Sequence, residues 1–133
     1  MKDIRSIVIK GLISAIEEVT DKKCYTLIPD TAGVNYPYIH ISDTYQEEVG
    51  DKTKFMYKLD TLIEVVFENI TSKVEIWQTM DQVLSIVNNA SSFELDSPYK
   101  VIRCELNNST ESDFKSETGT QYVGFIRLNI YVE

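Results

Sequence analysis

Histidine occurs once in these 133 residues and cysteine only twice. One imidazole and two thiols cannot supply the four ligands of a Cys/His zinc site. Cys24 and Cys104 are also too few for a disulfide framework, so a reducing compartment is the expected setting. Basic residues are scarce too: 13 Lys and Arg face 21 Asp and Glu, for a net charge of −8. Gripping a nucleic-acid duplex requires clustered Lys and Arg, and the dispersed cations here form no such patch. The same deficit disfavours docking on an anionic membrane. No apolar run approaches the roughly 20 residues that span a bilayer. The opening MKDIRSIVIKGLISAIEE carries Lys2 and Arg5 but no unbroken apolar segment, and Glu17 and Glu18 follow, so it does not read as a signal peptide. G-x-x-x-x-G-K-[ST], G-x-G-x-x-G and G-x-S-x-G are all missing.

What is present fits one domain over residues 1–133, with 43% hydrophobic and 26% charged residues. A chain of this length buries about two thirds of its unfolded surface and folds without a metal or a disulfide. Residues Asp3 to Val19 predict an amphipathic helix, with Ile4, Ile7, Val8, Leu12, Ala15, Ile16 and Val19 on one stripe. Gly11 lies beside the stripe, where it weakens the helix and permits a close backbone approach. Ser72-Lys73-Val74-Glu75 matches a capping box and opens a second helix. Its apolar stripe is Ile76, Met80, Val83, Leu84 and Val87, and Asn88-Asn89 with Ser91-Ser92 end it.

Elsewhere the period is two. Strands are expected over Cys24–Ile28, Tyr38–Gln46, Lys58–Glu68, Tyr99–Leu106 and Gln121–Glu133. Leu59, Thr61, Ile63, Val65 and Phe67 point one way, as do Tyr122, Gly124, Ile126, Leu128, Ile130 and Val132. Ile102, Cys104 and Leu106 are expected to share that core side. The fold class is therefore α+β, a mostly antiparallel sheet with two helices packed on one face. Three loops separate the elements: Pro29–Pro37, the charged tip Glu47–Lys54, and the long polar stretch Asn107–Thr120 with Phe114 in its middle. Long loops without structure of their own are usually functional or disordered.

The side of the strands away from the helices mixes apolar residues with charges of both signs. It carries Asp60, Leu62, Glu64, Val66 and Glu68 on the long middle strand. The last strand adds Val123, Phe125, Arg127, Asn129 and Tyr131, and the fourth adds Tyr99, Val101, Arg103 and Glu105. A wet face would read polar throughout, and contiguous apolar surface rimmed by charge marks association. Subunit contacts are expected there, with Arg103 and Arg127 available to meet Asp60 or Glu64 across a boundary.

Catalytic chemistry has little to build on. His40 alternates with Ile39 and Ile41 and has no serine or cysteine partner at a readable spacing, so a structural or exposed histidine is expected. Cys104 reads as a small buried hydrophobe, and Cys24 follows Lys22-Lys23, which would favour its thiolate. Asp43, Glu47, Glu48 and Asp51 lack the order of a calcium loop and read as a solvated tip. Trp77 and Met80 are expected in the core rather than against a cofactor. No cofactor, metal or reaction is predicted.

Element order then carries a resemblance. An N-terminal helix leads to a short strand and the opening Asn35-Tyr36-Pro37-Tyr38-Ile39-His40-Ile41, followed by a charged tip. The long strand Lys58-Leu59-Asp60-Thr61-Leu62-Ile63-Glu64-Val65-Val66-Phe67, the helix from Val74 to Asn88 and the closing strand Gly124-Phe125-Ile126-Arg127-Leu128-Asn129-Ile130 complete it. The chain resembles the tail-terminator (tail-completion) proteins of long-tailed bacteriophages over nearly its whole length. It departs from many of them in having Phe55-Met56-Tyr57 where they carry a histidine. The resemblance implies a non-enzymatic virion protein, assembled in the host bacterial cytoplasm as a homo-oligomeric ring, typically of six subunits. Such a ring caps the head-proximal end of the tail tube, ends its growth and joins it to the head connector, while DNA passes through the lumen without specific binding. Contacts with tube protein or connector are expected at Glu47, Glu48, Val49, Asp51 and Phe114. The alternatives are a head-completion (neck) component and a small intracellular ligand-binding module.

Overall fold

The computed structural model describes residues 2–27, 36–50, 56–88, 93–116 and 119–133. Helix α1 spans Arg5–Thr20 and α2 spans Val74–Asn88, with strands β1 Cys24–Tyr25, β2 Tyr38–Glu48, β3 Tyr57–Glu68, β4 Val101–Ser116 and β5 Gly119–Val132. They form one sheet in the order β1-β2-β3-β5-β4, antiparallel throughout except that β1 runs parallel to β2. The fold class expected from the alternation is the one observed.

One core lies between the helices and one face of this sheet. Leu59, Thr61, Ile63 and Val65 of β3 and Ile126, Leu128, Ile130 and Val132 of β5 are fully buried there. Ile4, Val8, Leu12 and Ile16 come down from α1, and Ile76, Val83 and Ile86 from α2. Ile9 is buried on α1 and Ile7 only partly, so the stripe sits slightly rotated from the one read off the spacing. Gln46 fastens the start of α1 to β2: its Oε1 accepts from the Ile4 amide at 2.9 Å, and its Nε2 donates to the Lys2 carbonyl at 2.6 Å. The Ser72 hydroxyl accepts from the Val74 amide at 3.2 Å, a cap two residues on in place of the reciprocal Ser72–Glu75 box expected.

Three expectations change. Strand β1 stops at Tyr25; Leu27 is 80% exposed, and Ile28 lies outside the described residues. The polar stretch Asn107–Thr120 is not a loop, because β4 continues to Ser116 and β5 starts at Gly119. Backbone pairing along β5 holds those residues extended although they bury almost nothing, and that pairing outweighs their low strand preference. Finally, only Cys104 of its expected trio is buried. An extra residue at Ile102 breaks the ladder and leaves that side chain 39% exposed, while Tyr99 and Val101 pack on the helix side instead. Leu106 keeps its pairing with Leu128 on the helix side but, on the edge strand, is 45% exposed.

Two glycines set the packing distances. A Cβ at Gly124 would meet the Met80 Sδ at 2.5 Å, so β5 lets α2 lie directly on it. At Gly11 a Cβ would stand 2.8 Å from both the Glu94 carbonyl oxygen and Leu95 Cδ2, which is the close approach expected for α1. Gly11→Ala should therefore destabilise the fold. The gain of about 1 kcal/mol in helix preference is outweighed by forcing backbone apart, and a net loss of about 1–2 kcal/mol is expected, seen as a Tm lower by roughly 5 °C. An unchanged or raised Tm would contradict this packing.

Candidate functional site

The helix-free side of the sheet is assembled by register alone. Pairing brings together Tyr38, Val66, Val123 and Ser112 in one row, then His40, Glu64, Phe125 and Thr110. Leu62, Arg127 and Asn108 follow, next Tyr45, Asp60, Asn129 and Glu105, and last Glu47, Lys58, Tyr131 and Arg103. A bulge at Ser42-Asp43 in β2 keeps Tyr45 and Glu47 on this side. All nine residues expected at a subunit contact lie on it: Asp60, Leu62, Glu64, Val66, Arg103, Val123, Phe125, Arg127 and Tyr131.

The face is not uniform. At one end Tyr38, Val66 and Val123 are 5–6% exposed, covered within the chain by Tyr25, Tyr36 and Phe125. The Tyr25 and Tyr38 rings meet edge-on at 6.0 Å, those of Tyr36 and Tyr38 at 5.4 Å, and Gln121 Nε2 donates to the Tyr36 hydroxyl at 2.9 Å. Burial, then the neighbouring Tyr36 and Glu64, raises the Tyr38 hydroxyl pKa above the ordinary tyrosine value. His40 is buried, and its Nδ1 shares a 2.6 Å hydrogen bond with Glu64 Oε2.

The cations find partners inside their own chain. Arg127 Nη1 donates to Asp60 Oδ1 at 2.9 Å, in a pair about one-third exposed and worth about 0.2–1 kcal/mol. Arg103 lies over the Tyr131 ring at 4.1 Å and pairs with Glu105 at 3.3 Å. No partner across a boundary is needed to neutralise either of them. Tyr45, 63% exposed, and the half-buried Leu62 and Phe125 remain as open apolar surface. Asn129 Oδ1 is buried and accepts no hydrogen bond from the described residues.

The expected partner-contact residues separate to opposite ends. Glu47, Glu48 and Val49 stand where β2 hands over to β3, at the end of the sheet shared by Val101 and Val132. Val49 is 41% exposed, its amide donating to the Met56 carbonyl at 2.9 Å; Glu47 lies 3.6 Å from Lys58 Nζ; Asp51 is outside the described residues. Phe114, 51% exposed, pairs with Gln121 at the other end and so shares the helix-free side.

Trp77 does not enter the core. It is 54% exposed, and its Nε1 donates to Glu111 Oε2 at 2.7 Å while Lys73 Nζ donates to Glu111 Oε1 at 3.0 Å. The signal for this contact was the continued alternation of Ser109, Glu111 and Asp113 toward the helix side, hidden by their polarity. With Ile76, Ser112, Asp113 and Tyr122, Lys73 and Glu111 line a cleft of about 100 Å³, below the size of ordinary ligand pockets.

Both cysteines are buried, and desolvation, then Glu17 for Cys24 and Glu105 for Cys104, pushes each thiol up to about 12. The activation of Cys24 by Lys22-Lys23 is thus overturned by burial. Relative to an ordinary thiol at 9.0, thiolate at neutral pH falls by about a thousandfold. Neither should react with iodoacetamide at neutral pH in the folded protein, and both should react in concentrated guanidinium. Rapid native labelling would show that the burial is wrong.

A solved structure similar to this chain belongs to the virion of a native gene transfer agent (GTA) particle. The two align over 100% of each chain, with a TM-score of 0.74 and 10% sequence identity, which is a likeness of fold. No protein-family model matches the chain, and no curated protein matches it in sequence.

Proposed function

We propose that this chain is a structural virion protein that assembles as a ring, capping the head-proximal end of a phage tail tube and joining it to the head connector. The observation that carries the reading is the end-to-end likeness of fold to a chain of the GTA virion, with nothing left over in either partner of the alignment. The resemblance in element order to tail-terminator proteins supports the finer role.

The helix-free face supports self-association, through the part the chain leaves uncovered. Leu62, Phe125 and Tyr45 lie between the tyrosine-sealed end and the Arg103–Tyr131 stack, with the Asp60–Arg127 pair among them. Already-paired charges at an interface set register without leaving an ion stranded on burial. Val66 and Val123 act beneath that surface, as supports for Tyr38. The two exposed ends suit a component with two partners: Glu47–Val49 at one, Phe114 at the other. A net charge of −8 suits a lumen through which DNA slides, because carboxylates repel phosphates.

Native mass spectrometry and electron microscopy test the assembly, alone and with tube and connector proteins. The expected product is a ring several times 15.3 kDa on the end of tubes of fixed length, lost in Leu62→Asp with the fold retained by circular dichroism. A chain that stays at its monomer mass under all three conditions would sink the proposal, and a ring on the connector alone would move it to the neck. Phe114→Ala should preserve the ring and reduce joining at one end only. Introducing lysines on the lumen wall should slow DNA ejection; unchanged kinetics would remove the electrostatic argument.

A further inference from the structure

The outer half of β4 is built unlike the rest of the sheet. Residues 105–115 are all exposed, and the run from Asn108 to Ser116 begins just after the extra residue Asn107. Its ladder to β5 is continuous, from the pair Asn108 and Arg127 to the pair Ser116 and Gly119. Strands held by backbone bonds without buried side chains open at low free energy. β5 is secured independently. It pairs with β3 from Gln121 to Val132, and Asn69 holds its start: the Asn69 amide donates to the Thr120 carbonyl at 3.0 Å, and Asn69 Oδ1 accepts from the Thr120 amide at 3.2 Å.

Against that background one side chain of the outer half reaches the body of the protein with both oxygens engaged. Glu111 accepts from Trp77 Nε1 and from Lys73 Nζ, at the start of α2. We infer that Glu111 is a pin that fastens the outer half of the edge strand β4 to α2, so that residues 108–116 open as a unit when the carboxylate is lost or captured elsewhere. The inference rests on contacts within one chain and does not depend on the ring reading. Opening would bare the β5 edge over residues 119–127.

The charges around the pin give it a pH dependence. Lys73 from the α2 entrance, Asp113 from β4 and Tyr122 from β5 face it. The Trp77 hydrogen bond, then Lys73, holds the Glu111 carboxyl below the ordinary glutamate value of 4.5. A lowered acid stabilises the closed form fully above its ordinary pKa, and that contribution fades as pH falls through the lowered one.

Hydrogen exchange by NMR at neutral pH tests the pin in the whole chain. In Glu111→Gln, the amides among residues 108–116 that bond to β5 should exchange about 3- to 10-fold faster, while those of β3 keep their rates. Glu105→Gln, on the same strand but facing the other side, should change neither. The single indole N–H resonance should titrate in the native protein below pH 4.5 and lose that titration in Glu111→Gln. Equal exchange of 108–116 in Glu111→Gln and the native chain would overturn the inference. So would acceleration spread evenly into β3, which would make Glu111 a contributor to global stability and no local pin.

Discussion

The structure depends on the ladder between β3 and β5. Tyr57 through Glu68 pair with Val132 through Gln121 without an irregularity, and this fixes the parity of every residue in the two central strands. A slip of one position would turn one of the two strands over, driving Asp60 and Glu64 of β3, or Arg127 of β5, under the helices and turning Leu59 and Ile63, or Ile126 and Leu128, out. Each buried branched side chain contributes about 1.5–3 kcal/mol, so the alternative register is far out of reach. The core and the helix-free face are therefore one decision seen from two sides.

That is also why these two strands were legible from sequence. Alternation over a full strand length, apolar one way and mixed the other, has no competing helical reading. The helices were legible because their stripes repeat every three to four residues. What escaped was set by pairing rather than by side chains. Asn107 to Ser116 carries no apolar alternation, yet a neighbour with unpaired amides and carbonyls keeps it extended. The bulges among the described residues, at Ser42-Asp43, Ile102 and Asn107, leave no mark that counting by twos detects, and the one at Ile102 puts Tyr99 and Val101 on the side opposite to the one expected. Trp77 was placed in the core on hydrophobicity, but its partner Glu111 sits on a strand that read as loop.

The candidate face was legible as a list and not as a surface. All nine residues share it, but their environments differ in ways that spacing does not encode. The tyrosines before and within the start of β2 close over Val66 and Val123, and Tyr25 joins them because two residues of β1 pair alongside. Asp60 meets Arg127 diagonally across the β3–β5 pair, a reach that long side chains have on twisted sheets. What remains open is a narrower patch centred on Leu62, Phe125 and Tyr45, flanked by satisfied charges.

The edges complete the division of labour within one sheet. Its centre is held by apolar burial, its rim by backbone pairing and a few polar contacts, and these differ in how they respond to solvent and partners. The two cysteines in the centre are held neutral by burial. The rim responds because Glu111 is exposed enough to exchange its partners and charged enough to choose among them. Retention of the outer half of β4 thus depends on one carboxylate, against a β5 already secured by Asn69 and β3. Releasing Glu111 and the outer half of β4 leaves the core register untouched, because that register is set by β3 and β5 alone.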